Sequence, residues 1–238
     1  MLLFVVDKTM IRGWQKTSFI DYPGKISTVL FFSGCNFRCG FCHNPDLVYN
    51  RPKLPKYSEQ GVINYLIKRK KIIEAVVLSG GEPTLNKNLP KFLQKIKKLG
   101  FLVKLDTNGT NPKMLKRLIK EKLVDYLAMD LKGPLEKYSQ ITTRPFNPQL
   151  IKKSIKIIKT SGLPYEFRST ILPYFHKITD ILKMAKLITG AEIYYLQKFV
   201  PRRDLVNKKI IKEEAFNHQE MTELAKKCQE FVKKCFIR

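Results

Sequence analysis

Three of the chain's five cysteines fall within eight residues, in the stretch GCNFRCGFCHNP at positions 34–45. Cys35, Cys39 and Cys42 have the spacing C-x3-C-x2-C. Three metal readings of this loop compete. A closed structural zinc site takes four ligands, often as two separated Cys/His pairs. The only other ligand nearby is His43, and adjacent residues seldom close the same tetrahedron. CGFCH (39–43) also matches the C-x-x-C-H pattern of covalent haem attachment, but that motif is short and leaves Cys35 without a role. The third reading is an iron–sulfur cluster. A 4Fe–4S cube that only carries electrons takes four protein ligands. Three cysteines on one loop leave one iron free to bind a small molecule, and this reading uses all three.

Cys228 and Cys235 do not add a fourth ligand by spacing. On a helix expected at about 217–235 they lie two turns, roughly 10 Å, apart, too far for a disulfide. They read as small core residues.

Other polar motifs follow the cysteines at regular intervals: SGGEP (79–83), DTNG (106–109) and DLKG (130–133). Each ends a short apolar run. Six such runs, at 25–34, 74–83, 101–109, 124–133, 164–172 and 192–200, have the character of strands buried on both faces. Amphipathic helical patterns separate them at 58–70, 88–99, 112–122, 147–160 and 178–188. Strand and helix in alternation make an α/β fold with parallel strands and right-handed crossovers. Six units fall short of the eight in a closed barrel. Chemistry at successive strand ends is nevertheless the habit of barrels, whereas an open sheet gathers it at one switch point. A partial (β/α)6 barrel with a C-terminal helix is expected, as one domain over 1–238.

The loop Cys35–Cys39–Cys42, with Phe41 before its last cysteine, resembles that of the radical S-adenosylmethionine (SAM) superfamily, and SGGEP resembles its GGE motif. The longer stretch GWQKTSFIDYPGKISTVLFFSGCNFRCGFCHNPDLV (13–48) is similar to the start of glycyl-radical-enzyme activating proteins. The likeness is greatest to the longer, barrel-type activators of anaerobic ribonucleoside-triphosphate reductase, with pyruvate formate-lyase activating enzymes as near relatives. It runs through DTNG and DLKG over residues 11–200.

The resemblance implies a radical SAM barrel and a 4Fe–4S cluster on Cys35, Cys39 and Cys42, with SAM chelating the open iron. It places Phe41 near the adenine with backbone help from His43, and Gly80, Gly81 and Glu82 at the methionine end. Asp106, Thr107 and Asp130 fall in the set that holds SAM and, in some members, a monovalent cation. Lys132 would pair with the SAM carboxylate. Arg168, a charge inside the fifth run, would touch ligand or substrate, or else form a buried ion pair. Formate-lyase activators carry a His after the sixth strand, where this chain has Gln197 or Phe199; His176 has no assigned role. The implied reaction is hydrogen abstraction by a 5′-deoxyadenosyl radical from a glycine of a partner enzyme, with the electron supplied by a low-potential donor such as flavodoxin or ferredoxin. No ferredoxin-like insertion fits between Cys42 and the helix at 58, so auxiliary clusters are not expected.

The chain carries 45 Lys and Arg against 20 Asp and Glu, a formal charge of +25. The lysines are spread along it and read first as solvated helix faces, next as attraction to an acidic protein, and last as a nucleic-acid surface. MLLFVVDK is too short for a secretory leader, and no apolar run approaches a membrane span of about 18 residues. The cytoplasm is the expected compartment. Two other functions stay open on sequence alone: a radical SAM enzyme acting on RNA or a peptide, and an iron–sulfur electron carrier.

Overall fold

The computed structural model describes residues 10–201 and 204–238; the apolar run at 2–6 lies outside them. Its first element adds a strand to those expected. Strand β1 (Ile11–Tyr22) runs antiparallel to β2 (Lys25–Phe32) around a turn at Pro23 and Gly24. Three register shifts interrupt the pairing, and such irregularities blur the period of two that marks a strand in sequence. Arg12 fastens this strand to the loop beyond the cysteines. Its guanidinium donates to the carbonyls of Arg51, Pro52, Leu54 and Pro55 and to the Asn50 side chain.

A one-turn helix α1 (Pro45–Val48) and α2 (Glu59–Lys68) follow β2. The alternation continues through β3 (Ala75–Gly80), α3 (Leu89–Lys98), β4 (Leu102–Thr107), α4 (Pro112–Lys120), β5 (Tyr126–Asp130), the short α5 (Tyr138–Thr142), α6 (Pro148–Lys159), β6 (Tyr165–Ile171), α7 (Ile178–Leu187) and β7 (Ile193–Lys198). All six strands expected between 25 and 200 are present. Asn-Pro pairs open α4 and α6: Asn111 accepts from the Met114 N–H and Asn147 from the Gln149 N–H, while each proline occupies a position whose N–H has no helical partner.

The C-terminal helix is shorter than expected. α8 (His218–Cys228) starts on an Asn217–Glu220 capping box, then the chain reverses into β8 (Lys234–Ile237). The apolar stripe continued past the helix end, which is why one long helix was expected. The reversal overturns the two-turn separation of the last cysteines: the Cys228 and Cys235 thiols lie against each other, both free and buried.

The sheet order is β1-β2-β3-β4-β5-β6-β7-β8, parallel from β2 onward, with β1 and β8 as edges. One face packs on the helices through Val76, Leu78, Val103, Leu105, Leu127, Met129 and Phe167, all fully buried. The alternate residues face the other side, and on β4–β6 several are charged: Lys104, Asp106, Asp130, Glu166 and Arg168. This is the partial barrel the alternation implied, flanked by one added strand on each side.

Candidate active site

The ends of β2, β3, β4, β5 and β6 surround one cavity. The cavity has a volume of about 190 Å³, below the roughly 300–1,000 Å³ of ordinary ligand pockets. Every expected site residue except Arg168 lines it: Cys35, Cys39, Phe41, Cys42 and His43 from the cysteine loop, Gly80, Gly81 and Glu82 after β3, Asp106 and Thr107 on β4, and Asp130 and Lys132 at β5.

Burial pushes the Cys35 thiol up to about 11 and Cys39 up to about 12, and it raises Cys42 as well. The thiols are therefore protonated at neutral pH, and a metal must displace those protons on binding. Among the described residues, no three His, Cys, Asp or Glu side chains gather round a single point as ligands of one ion would. A cube takes each thiolate on a different iron, so it does not require such convergence.

Protein packing by itself requires both glycines. A Cβ on Gly80 would meet the Phe32 carbonyl oxygen at 2.5 Å, and one on Gly81 would meet the Gly34 oxygen at 2.2 Å. Gly80 also has φ +110°, open to glycine but costly for other residues. The Gly81 N–H donates to Phe32 O and the Glu82 N–H to Gly34 O, so the turn after β3 is sewn directly onto the approach to Cys35. Glu82 is a clip. Its buried carboxylate accepts from the Thr84 N–H and hydroxyl, the Thr107 hydroxyl and the Asn108 N–H. Burial raises its pKa against these donors.

Asp130 sits between two cations. Burial opposes its ionisation, yet Arg168 Nε at 2.8 Å and Lys132 Nζ at 3.1 Å hold the carboxyl at about 2. Arg168 also reaches Asp106 Oδ2 at 3.3 Å. It stands behind the two carboxylates rather than on the cavity wall, which is the ion-pair alternative. Asp106 Oδ1 is buried without a hydrogen-bond partner, the Lys104 ammonium being 3.7 Å away. Asp106 lines the cavity, and a carboxylate oxygen without a hydrogen bond can still accept one from a ligand donor.

Two contributors, Asn108 and Thr170, were not singled out by sequence. The Asn108 amide donates to Cys35 Sγ at 3.8 Å and to Asn36 Oδ1 at 2.9 Å; it lies inside DTNG, so the motif held the signal. Thr170, at the end of β6, joins the wall, and only the strand alternation could have marked it. His176 is buried and serves the structure. Its Nδ1 accepts from the Leu172 N–H, so Nε2 carries the proton given to the Lys132 carbonyl at 2.9 Å. It holds the DLK loop in place. Phe199 stacks on His43 at 5.9 Å, whereas Gln197 is not on the wall.

Three thiols on one loop, close backbone at the glycine turn, an orphaned carboxylate oxygen and a lysine beside it suit a site-differentiated cluster with an amino-acid ligand. The comparisons agree. Residues 29–188 match the radical SAM superfamily, and the chain belongs to it. The chain is an oxidoreductase-type radical SAM enzyme, and its family uses a 4Fe–4S cluster and SAM. It is 34% identical, over 97% of its length and 96% of the relative's, to a Methanocaldococcus jannaschii protein named "Putative glycyl-radical enzyme activating enzyme". With the pyruvate formate-lyase-activating enzyme of Clostridium pasteurianum it shares 27% identity over 77% of this chain and 80% of that one. SuiB of Streptococcus suis, solved with its precursor peptide SuiA, superposes with a TM-score of 0.66 at 15% identity, covering 88% of this chain and 48% of SuiB. A domain of a pyruvate formate-lyase-activating enzyme from Bacteroides vulgatus gives 0.55 at 19% identity, over 69% and 98%. At such identities the solved structures speak for the fold alone.

Proposed function

We propose that this chain is a glycyl-radical-enzyme activating protein whose partner is an anaerobic ribonucleotide reductase. The observation that carries the activity is the single cavity joining the three cysteines to the glycine turn, Asp106, Asp130 and Lys132. The choice of the reductase rests on the 13–48 resemblance; the named relatives support a glycyl radical enzyme as the class of partner. When bound, a reduced cluster and SAM supply a 5′-deoxyadenosyl radical able to take a hydrogen atom from a glycine Cα.

The chain's own residues bind, orient and exclude water. Cys35, Cys39 and Cys42 would hold the cluster. Lys132 offers its ammonium to the SAM carboxylate, a charge-assisted contact, while Asp130 keeps that ammonium aimed. Phe41 and His43, backed by Phe175 and Phe199, provide flat apolar faces for the adenine. Asp106 Oδ1, with Asp130 nearby, is the seat for a monovalent cation or for a donor from SAM. A flavodoxin or ferredoxin supplies the electron.

The test is anaerobic incubation with SAM and dithionite. We expect about four irons per chain, as a cube requires, and 5′-deoxyadenosine release that rises when the reductase is added. Tightly bound zinc with no 5′-deoxyadenosine would overturn the activity. Turnover stimulated by an RNA and not by the reductase would overturn the choice of partner.

A further inference from the structure

The cysteine loop has two faces, and they alternate. Phe37, Cys39 and Phe41 turn inward to the cavity already described, while Arg38 and Gly40 line a second cavity of about 620 Å³ on the outer side. Gly40 has no side chain, and the Phe175 ring and Asn207 Cβ pack where one would stand, so this wall of the outer cavity is formed by the loop backbone beside Cys39 together with Phe175 and Asn207. The backbone here is rigidly tied. Arg38 N–H donates to Thr142 O, Asn207 N–H to Gly40 O and Val206 N–H to Cys42 O. The Arg38 guanidinium donates through Nη1 to the carbonyls of Cys35 and Phe37 and lies 4.9 Å from the centre of the Tyr49 ring.

The outer cavity is positive and partly aromatic. Arg38 and Arg144 lie on its wall with the half-exposed rings of Tyr49 and Tyr174, and among the described residues no carboxylate lines it. Arg51 and Lys53 flank the outer side of Tyr49. The whole chain carries +25.

We propose that this outer cavity is the docking surface for the electron donor, an acidic low-potential carrier protein that presents carboxylates around its redox centre. The inference rests on the functional reading above. One electron leaves the donor's reduced centre and enters the cluster, with no proton or group transferred. Electron transfer weakens steeply with distance, and this cavity borders the cluster loop itself at Arg38 and Gly40, on either side of Cys39. Arg144 and the two tyrosines supply charge and flat contact area, as protein interfaces favour. Arg38 is a positioning residue, since its charge and hydrogen bonds hold the cluster loop beneath the contact.

The test uses cluster-loaded protein and oxidised flavodoxin, with affinity measured by calorimetry and cluster reduction by reduced flavodoxin followed by absorbance. Arg144→Glu, at an exposed position, should weaken binding and slow reduction by roughly tenfold at low salt, in line with charge-steered association, and Arg144→Gln should do so by less. Rising salt should erase the difference. Lys116→Glu, on α4 away from this surface, should match the wild type. Equal affinity in Arg144→Glu and the wild type, or an equal loss in Lys116→Glu, would overturn the proposal. Failure of the functional reading is separable. It would abolish dithionite-driven SAM cleavage in every variant, whereas failure of the docking surface would leave that cleavage intact.

Discussion

At Gly81 the turn after β3 has no room for a side chain, because a Cβ would fall 2.2 Å from the carbonyl oxygen just before Cys35. Gly81→Val should therefore displace the cysteine loop and lower iron content well below that of the wild type, while circular dichroism stays close to normal. Full iron loading in this variant would refute the tie between turn and loop. Loss of iron is likewise expected for alanine at Cys35, Cys39 or Cys42, and iron content should be normal for Cys228→Ala. Asp130 makes a pH-dependent prediction. Its carboxyl titrates at about 2 rather than at the ordinary 3.8, so its stabilising charge is present above pH 4 and is lost as pH falls through 2. Asp130→Asn should cost about 2 kcal/mol at pH 7, and urea unfolding should show the gap closing toward pH 2. The cysteines, glycines and carboxylates were legible because their types and spacing carry chemistry by themselves. His176 and Arg168 were not, since what a histidine does here depends on the Lys132 carbonyl 44 positions away, and a mid-strand arginine is indistinguishable in sequence from a ligand contact.

Between elements, β4, β5 and β6 are joined by a ladder of charges inside the curve of the sheet. Glu166, fully buried, receives a hydrogen bond from the Tyr126 hydroxyl and lies 3.5–3.7 Å from Arg238, Lys104 and Arg168. Removing it takes a carboxylate from Lys104 and Arg168, which then keep only Asp106 and Asp130 among the described residues. Glu166→Ala should lose about 3–5 kcal/mol in urea unfolding, and a loss below about 1 kcal/mol would show that the ladder contributes little. At this scale the six inner strands were readable because both faces are buried and each is a short run dominated by apolar, aromatic and β-branched residues, even where β4–β6 carry charges. The two edges were not. β1 loses its register at three places, and the four residues of β8 continue the apolar stripe of α8 closely enough to look like its last turn. Only the tertiary partner, β7, decides that they pair as a strand.

At the scale of the whole molecule, a sheet that begins at β1 and ends at β8 places five strand ends round one cavity and sets a second cavity against the outside of the same loop. The alternation of the sequence carried this curvature, because polar motifs recur at each strand end instead of at one. Composition alone did not reveal what the charge of +25 is for, since lysine count says nothing of which lysines and arginines share a surface. The central claim is that the inner cavity serves to place a radical on a partner protein. It is tested most directly by electron paramagnetic resonance of this protein mixed anaerobically with SAM, a low-potential reductant and an anaerobic ribonucleotide reductase. The account predicts a glycyl-radical doublet that disappears when the reductase glycine is replaced by alanine. SAM cleavage with no protein radical on the reductase would contradict it.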